Sequence, residues 1–179
     1  MTSEARDLTP ADAPALRDLF LSMPAQDRTF FFQDVHDPEV AARWTGDSDA
    51  GPRGVFAHDG RLLAFAALRP GIAWSSHVAD VVLVVAPEAR RSGVGRTLAQ
   101  QVLGAALEHR YRKVSVTIPA DNVGAIAMFR KLGFDDEALL RDQLCSPEDG
   151  QLRDVVILSY LVDDTWSTLL PGGWEEAVG

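Results

Sequence analysis

The residues best equipped for chemistry in this sequence lie together: Arg90, Arg91, Ser92, Gly93, Val94, Gly95, Arg96 and Thr97, directly after the apolar run Leu83-Val84-Val85-Ala86. An apolar strand, a Pro87 turn, a basic loop with two glycines and the first turn of a helix follow in that order. Such a junction binds anions. The first N–H groups of a helix have no intrahelical partner and the helix dipole adds partial positive charge there, while Gly93 and Gly95 allow close backbone approach. Arg90, Arg91 and Arg96 add full charges whose planar forks match phosphate oxygens. The expected guest is a phosphate or pyrophosphate; the plainer reading is a glycine-rich strand-to-helix turn with surface arginines.

Spacing separates the known phosphate loops. A dinucleotide fingerprint needs a third glycine where this chain has Leu98, and a Walker loop needs Gly-Lys-Ser/Thr, whereas the only lysines are Lys113 and Lys131. What remains is R-x-x-G-x-G, spelled Arg90-Arg91-Ser92-Gly93-Val94-Gly95. A second string follows one helix and one strand later: Asn122, Ala125, Phe129, Lys131, Gly133 and Phe134 in the pattern N-x-x-A-x-x-x-F-x-K-x-G-F. The two strings, in this order, resemble the coenzyme A motifs of the GNAT superfamily of N-acyltransferases. The resemblance spans roughly residues 8–161. It implies acetyl-CoA as cosubstrate, held by Leu83 and Val85 of the strand, by residues 90–97, and by Asn122 and Phe129 of the second motif.

The reaction implied is attack of a primary amine, on a small molecule or a protein, on the acyl thioester. An alkylammonium of pKa ~10.4 is about 99.9% protonated at pH 7, so a base is needed. Asp80 is the one acid in the apolar run that ends at Val85. Two roles fit it: a base whose proton affinity is raised by burial, or a structural acceptor inside the sheet. A backbone N–H near Val85 would meet the oxyanion. Many members of the superfamily carry Tyr where this chain has Phe129, which cannot protonate a leaving thiolate. A thiol of pKa ~8.5 leaves unprotonated at a cost of roughly 2 kcal/mol, so Tyr160, Cys145 or solvent could serve instead. A coenzyme A-binding regulatory module without turnover is the competing function.

These residues need elements to hold them. Thr9 and Pro10 open a helix whose Leu16, Leu19, Phe20 and Met23 recur at helical spacing, and a second short helix is expected around residues 38–44. Between them Phe30, Phe31 and Phe32 form either core or pocket wall; Phe31, Phe32 and Trp74 are the expected acceptor-side residues. Residues 46–51 read as a polar loop, and Asp59-Gly60 as a hairpin turn. Residues 77–85 form the central strand and residues 93–109 a helix. Strands 114–118, 138–145 and 152–161 follow, with a helix capped at Asp121 or Asn122 and stopped by Gly133. The expected fold is α/β: a mixed, mainly antiparallel sheet of about seven strands flanked by helices. The resemblance adds a splayed central pair, residues 77–85 and 114–118. One domain, residues 1–161, would carry the site, with residues 162–179 packing on it or at a dimer interface.

Composition narrows the partners. A hydrophobic fraction of 46% with 24% charged residues is ordinary globular usage. No apolar run reaches the ~20 residues of a membrane span, and residues 1–6 lack a signal-peptide core, so a cytoplasmic, membrane-free protein is expected. A single cysteine and His36, His58, His77 and His109 without ligand spacing make a metal centre unexpected. A net charge of −9 disfavours nucleic acid as a partner. Both monomer and homodimer remain open.

Overall fold

The computed structural model describes residues 4–28, 34–46, 53–56, 59–146 and 150–162. The elements in order are β1 (Glu4–Asp7), α1 (Ala13–Ser22), α2 (Ala25–Arg28), α3 (Pro38–Gly46), β2 (Arg53–Phe56) and β3 (Leu62–Pro70). Then come β4 (Val78–Val85), α4 (Val94–Glu108), β5 (Lys113–Pro119), α5 (Val123–Lys131), β6 (Asp135–Cys145) and β7 (Leu152–Leu161). Among the described residues the strands form one sheet in the order β1-β2-β3-β4-β5-β7-β6. Every pairing is antiparallel except β4 with β5.

Alternation along β4 divides the core. Ala79 and Val81 pack with Leu98, Val102 and Ala106 of α4 and with Ile126 and Phe129 of α5. Val84 points the other way, into a second cluster with Leu16 and Phe20 of α1 and Val40 and Trp44 of α3. Helices cover both faces, which is why β4 reads as a nearly continuous apolar run. Asp12 fixes the entry to α1: its carboxylate accepts the Thr9 N–H at 2.8 Å and a two-pronged Arg6 fork at 2.7 and 2.8 Å. The helix expected to begin at Pro10 is therefore a 3-10 turn (Pro10–Asp12) that hands over to α1 at Ala13.

The one parallel contact among the described strands is short. β4 and β5 pair at Val78↔Lys113, Ala79↔Val114 and Asp80↔Ser115, and the register ends there. Beyond it β4 continues against β3 to Ala64↔Val85, while β5 continues against β7 to Pro119↔Val155. The two halves of the sheet diverge past Asp80. A cavity lined by residues of β4 and β5 lies where they part.

No helix among the described residues is long and apolar enough to cross a membrane. Phe30, Phe31 and Phe32, the loop residues 47–51 and residues 163–179 lie outside the described residues.

Candidate active site

The loop after β4 is held by its own short bonds. Ser92 Oγ donates to the Ala89 carbonyl at 2.6 Å, and Arg91 sits at φ 61°. Gly93 takes φ 90° as the residue before α4, a conformation that a Cβ would strain. Thr97 N–H closes back on the Gly93 carbonyl at 3.1 Å, so the N–H groups of Gly95 and Arg96 precede the first intrahelical donor. Gly95 has a different reason to be glycine: a Cβ there would lie 3.1 Å from Val85 Cγ2. That close approach seats the start of α4 against the end of β4.

A groove of about 500 Å3 runs past this turn. Leu83, Val85, Arg90, Arg91, Gly93, Gly95 and Arg96 form one wall, and Asn122, Gly124, Ala125 and Met128 from the start of α5 form the other. Asn122 caps α5, its Oδ1 accepting the Ala125 N–H at 3.2 Å. Four residues of the expected cofactor set do not line the groove: Phe129, which lines a second cavity, and three residues of the loop and first helical turn. Ser92 holds the turn, Thr97 closes the first helical turn, and Val94 packs into the core, so none of them lines the groove.

Met23 and Asp27 also border the groove, which no motif announced. Asp27 Oδ2 accepts from Arg90 Nη2 at 2.6 Å, and Arg90 Nε donates to the Val85 carbonyl at 3.4 Å. An acid thus stands inside an otherwise cationic anion site.

A second cavity, of about 80 Å3, passes through the sheet where β4 and β5 part. Trp44 of α3 lies at one end and Phe129 of α5 at the other, with Val81, Leu83, Val116 and Ile118 between. Leu83, Asn122 and Ala125 border both cavities, so the groove and the cavity meet there. Asp80 lines the cavity, but not as the buried acid expected from its apolar neighbours. Its side chain keeps 34% of its exposure because it stands at the last paired position before the strands diverge. Its Oδ2 accepts from Arg69 Nη2 at 2.8 Å and its Oδ1 from the Ser115 hydroxyl. Arg69, Asp80 and Ser115 are register neighbours on β3, β4 and β5, a polar row across three strands.

Phe129 is 2% exposed, lines this cavity rather than the groove, and packs edge-on against Phe134 with ring centres 5.1 Å apart. Neither suggested replacement for a family tyrosine reaches it. Tyr160 stacks on Phe134 and Gly133, and the exposed Cys145 thiol lies by the Ser146 and Gly150 carbonyls; neither lines either cavity. Trp74 is 96% exposed and lines neither cavity, in place of which Trp44 does. No cluster of three or more metal-ligating side chains occurs among the described residues.

Comparison with known proteins decides the family. The model of the GNAT acetyltransferase family matches residues 15–134. The chain belongs to that family. It is an acyl-CoA-dependent N-acyltransferase by that membership. No curated protein matches the chain in sequence. Solved GNAT structures share the fold. A Sinorhizobium meliloti phosphinothricin acetyltransferase in complex with acetyl-CoA superposes with TM-score 0.77 at 18% identity, over 97% of this chain and 95% of that one. The Salmonella typhimurium protein yncA with its cofactor acetyl-CoA gives 0.78 at 16%, over 91% and 95%. The Brucella melitensis ribosomal-protein-alanine N-acetyltransferase gives 0.74 at 23%, over 89% and 99%. At these identities the likeness is one of fold.

Proposed function

We propose that this GNAT protein transfers an acetyl group from acetyl-CoA to the primary amine of a small molecule or protein by direct attack. The observation that carries the reading is the meeting of the two cavities at Leu83, Asn122 and Ala125. A pyrophosphate fits the N–H groups of Gly95 and Arg96, which precede the first intrahelical donor, with the Arg91 and Arg96 side chains beside it. Arg90 joins them once it turns from Asp27. The thioester then lies at the junction, and the amine arrives through the sheet from the Trp44 side. Asp80 faces that route and holds the ammonium, taking one proton directly or through water. A backbone N–H near Val85, on the strand edge that has lost its β5 partner, steadies the oxyanion at no reorganisation cost.

Departure of the thiolate has no protein donor at Phe129, so solvent supplies that proton. This same feature favours a second reading, a coenzyme A-binding regulatory module that does not turn over. Two measurements separate them. Isothermal titration with acetyl-CoA should give saturable binding on either reading; its absence removes both. Thiol release over a panel of amines then belongs to the enzyme alone. Asp80→Asn should lower kcat by about a hundredfold or more, the usual worth of a positioned base, and flatten the acid limb of the pH profile. An unchanged profile would show that Asp80 is structural.

A further inference from the structure

The sheet-crossing cavity carries two charges and they are of opposite sign. Among the described residues Arg69 and Asp80 are its only charged lining residues, set among the apolar walls formed by Trp44, Val81 and Val116. The pair keeps 38% and 34% of its side-chain exposure, so a solute entering the cavity can reach it, and its mutual bond does not use up its donors and acceptors. Arg69 reaches Asp80 through one N–H, at 2.8 Å, rather than through a two-pronged fork, and its guanidinium makes no other hydrogen bond among the described residues. Asp80 accepts one bond on each oxygen, which leaves room on a carboxylate for further donors. Unused donors and unused acceptors stand side by side on the route to the thioester.

Resting on the acetyl-transfer reading, we propose that the acceptor is a small zwitterion, an α-amino acid, whose carboxylate is taken by Arg69 and whose ammonium is taken by Asp80. The two charges of an α-amino acid are separated by a single carbon, which suits partners in direct contact. A plain alkylamine or a lysine side chain brings only the positive charge and meets Arg69 beside it, so like charge opposes its entry. A carboxylate on the same molecule removes that repulsion and fills the open Arg69 donors, with a planar fork suited to it. The cavity, at about 80 Å3, is smaller than the ~150 Å3 that receives benzene in an engineered protein core, so only the amino-acid head and a small part of its side chain enter.

The chemistry closes in this pose. The ammonium gives one proton to Asp80; the freed nitrogen lone pair forms the bond to the acyl carbon; the carbon–sulfur bond breaks with its electron pair on sulfur. The second nitrogen proton passes through solvent to the thiolate, and Asp80 returns its proton to solvent. The products are the N-acetylamino acid, coenzyme A thiol and one proton. The amide no longer carries a charge for Asp80, which loosens the product.

The experiment compares thiol release from acetyl-CoA with glycine, alanine, serine, methionine and phenylalanine against the α-carboxamide and the decarboxylated amine of each. At least one free amino acid should exceed its carboxamide and amine in kcat/KM by about tenfold to a hundredfold, the worth of a charged hydrogen-bonding partner. Arg69→Gln should abolish that preference while leaving acetyl-CoA affinity unchanged. Amines turned over as well as amino acids overturn the proposal and leave acetyl transfer standing; so does an Arg69→Gln enzyme that keeps the preference. Absence of acetyl-CoA binding overturns both. The wild-type panel needs no variant to fold.

Discussion

Arg90 has two claims on its guanidinium, one from Asp27 and one from the phosphates of the proposed cosubstrate. Asp27 holds it at 2.6 Å, on side chains that keep 43% and 22% of their exposure. A phosphate entering the groove must compete with that carboxylate and also meets its charge. Asp27→Asn should therefore tighten acetyl-CoA by about twofold to fivefold, the worth of a partly exposed pair, as read by titration calorimetry. An unchanged or weaker affinity would assign Arg90 to holding α2 rather than to the cosubstrate. Contacts of this kind are where the sequence runs out. Arg90, Gly93 and Gly95 declare themselves because one turn needs them at adjacent positions. Asp27 lies 63 residues away from its partner and has no period or motif to mark it. Arg69 was hidden differently: it faces Asp80 across the irregular connection from Gly71 to His77, whose length conceals the register. The apolar letters around Asp80 suggested burial, yet burial depends on where β5 stops pairing, and no local pattern encodes that.

At the level of elements, the glycines of the loop and the cap of α1 are the points at which one atom decides geometry. Gly93 holds φ 90° with nothing within 4 Å of a Cβ, so Gly93→Ala clashes with no neighbour and tests backbone strain alone. It should cost about 1–2 kcal/mol in chemical denaturation and weaken acetyl-CoA by shifting the start of α4. Undiminished affinity would mean that the N–H groups of that turn do not hold the cosubstrate. Asp12 offers a pH test. The hydrogen-bonded Arg6 fork, with Thr9 behind it, keeps its carboxyl well below the ordinary carboxylate range. An acid whose folded pKa is depressed contributes stability that is complete above its unfolded value of ~3.9 and is lost as pH falls below it. Asp12→Asn should cost about 1–2 kcal/mol near neutral pH and flatten the acid limb of the stability profile below pH ~4. Equal acid sensitivity in the variant would place that loss elsewhere. These elements were largely legible. Thr9-Pro10, the β-branched run of β5 and the Asn122 cap of α5 each act through neighbours in sequence. The bulges of β6, between Asp136 and Ala138 and between Leu140 and Leu144, depend on its partner β7 and left no local trace.

As a whole the molecule is two half-sheets joined, among the described residues, by three register pairs and by the core under α4 and α5, which draws on strands of both halves. A ligand that fills the groove touches both halves, Leu83 and Val85 from one and Asn122, Ala125 and Met128 through α5 from the other. Unfolding exposes that site, so binding must raise stability by mass action. At acetyl-CoA one hundred times its Kd the gain is about 2.7 kcal/mol, which for a chain of this length corresponds to a rise in Tm of roughly 5–10 °C. The net charge of −9 argues against any nonspecific origin for such a shift, since the surface as a whole repels an anionic cosubstrate. The attraction has to come from Arg91 and Arg96 with Arg90, at the turn itself. Arg90→Ala combined with Arg96→Ala should consequently shrink the shift at the same acetyl-CoA concentration without lowering the Tm of the free protein by more than a few degrees. A full shift in that double variant would mean that the cleft recognises the pantetheine and acyl portions alone, and that the basic loop serves the fold rather than the phosphates.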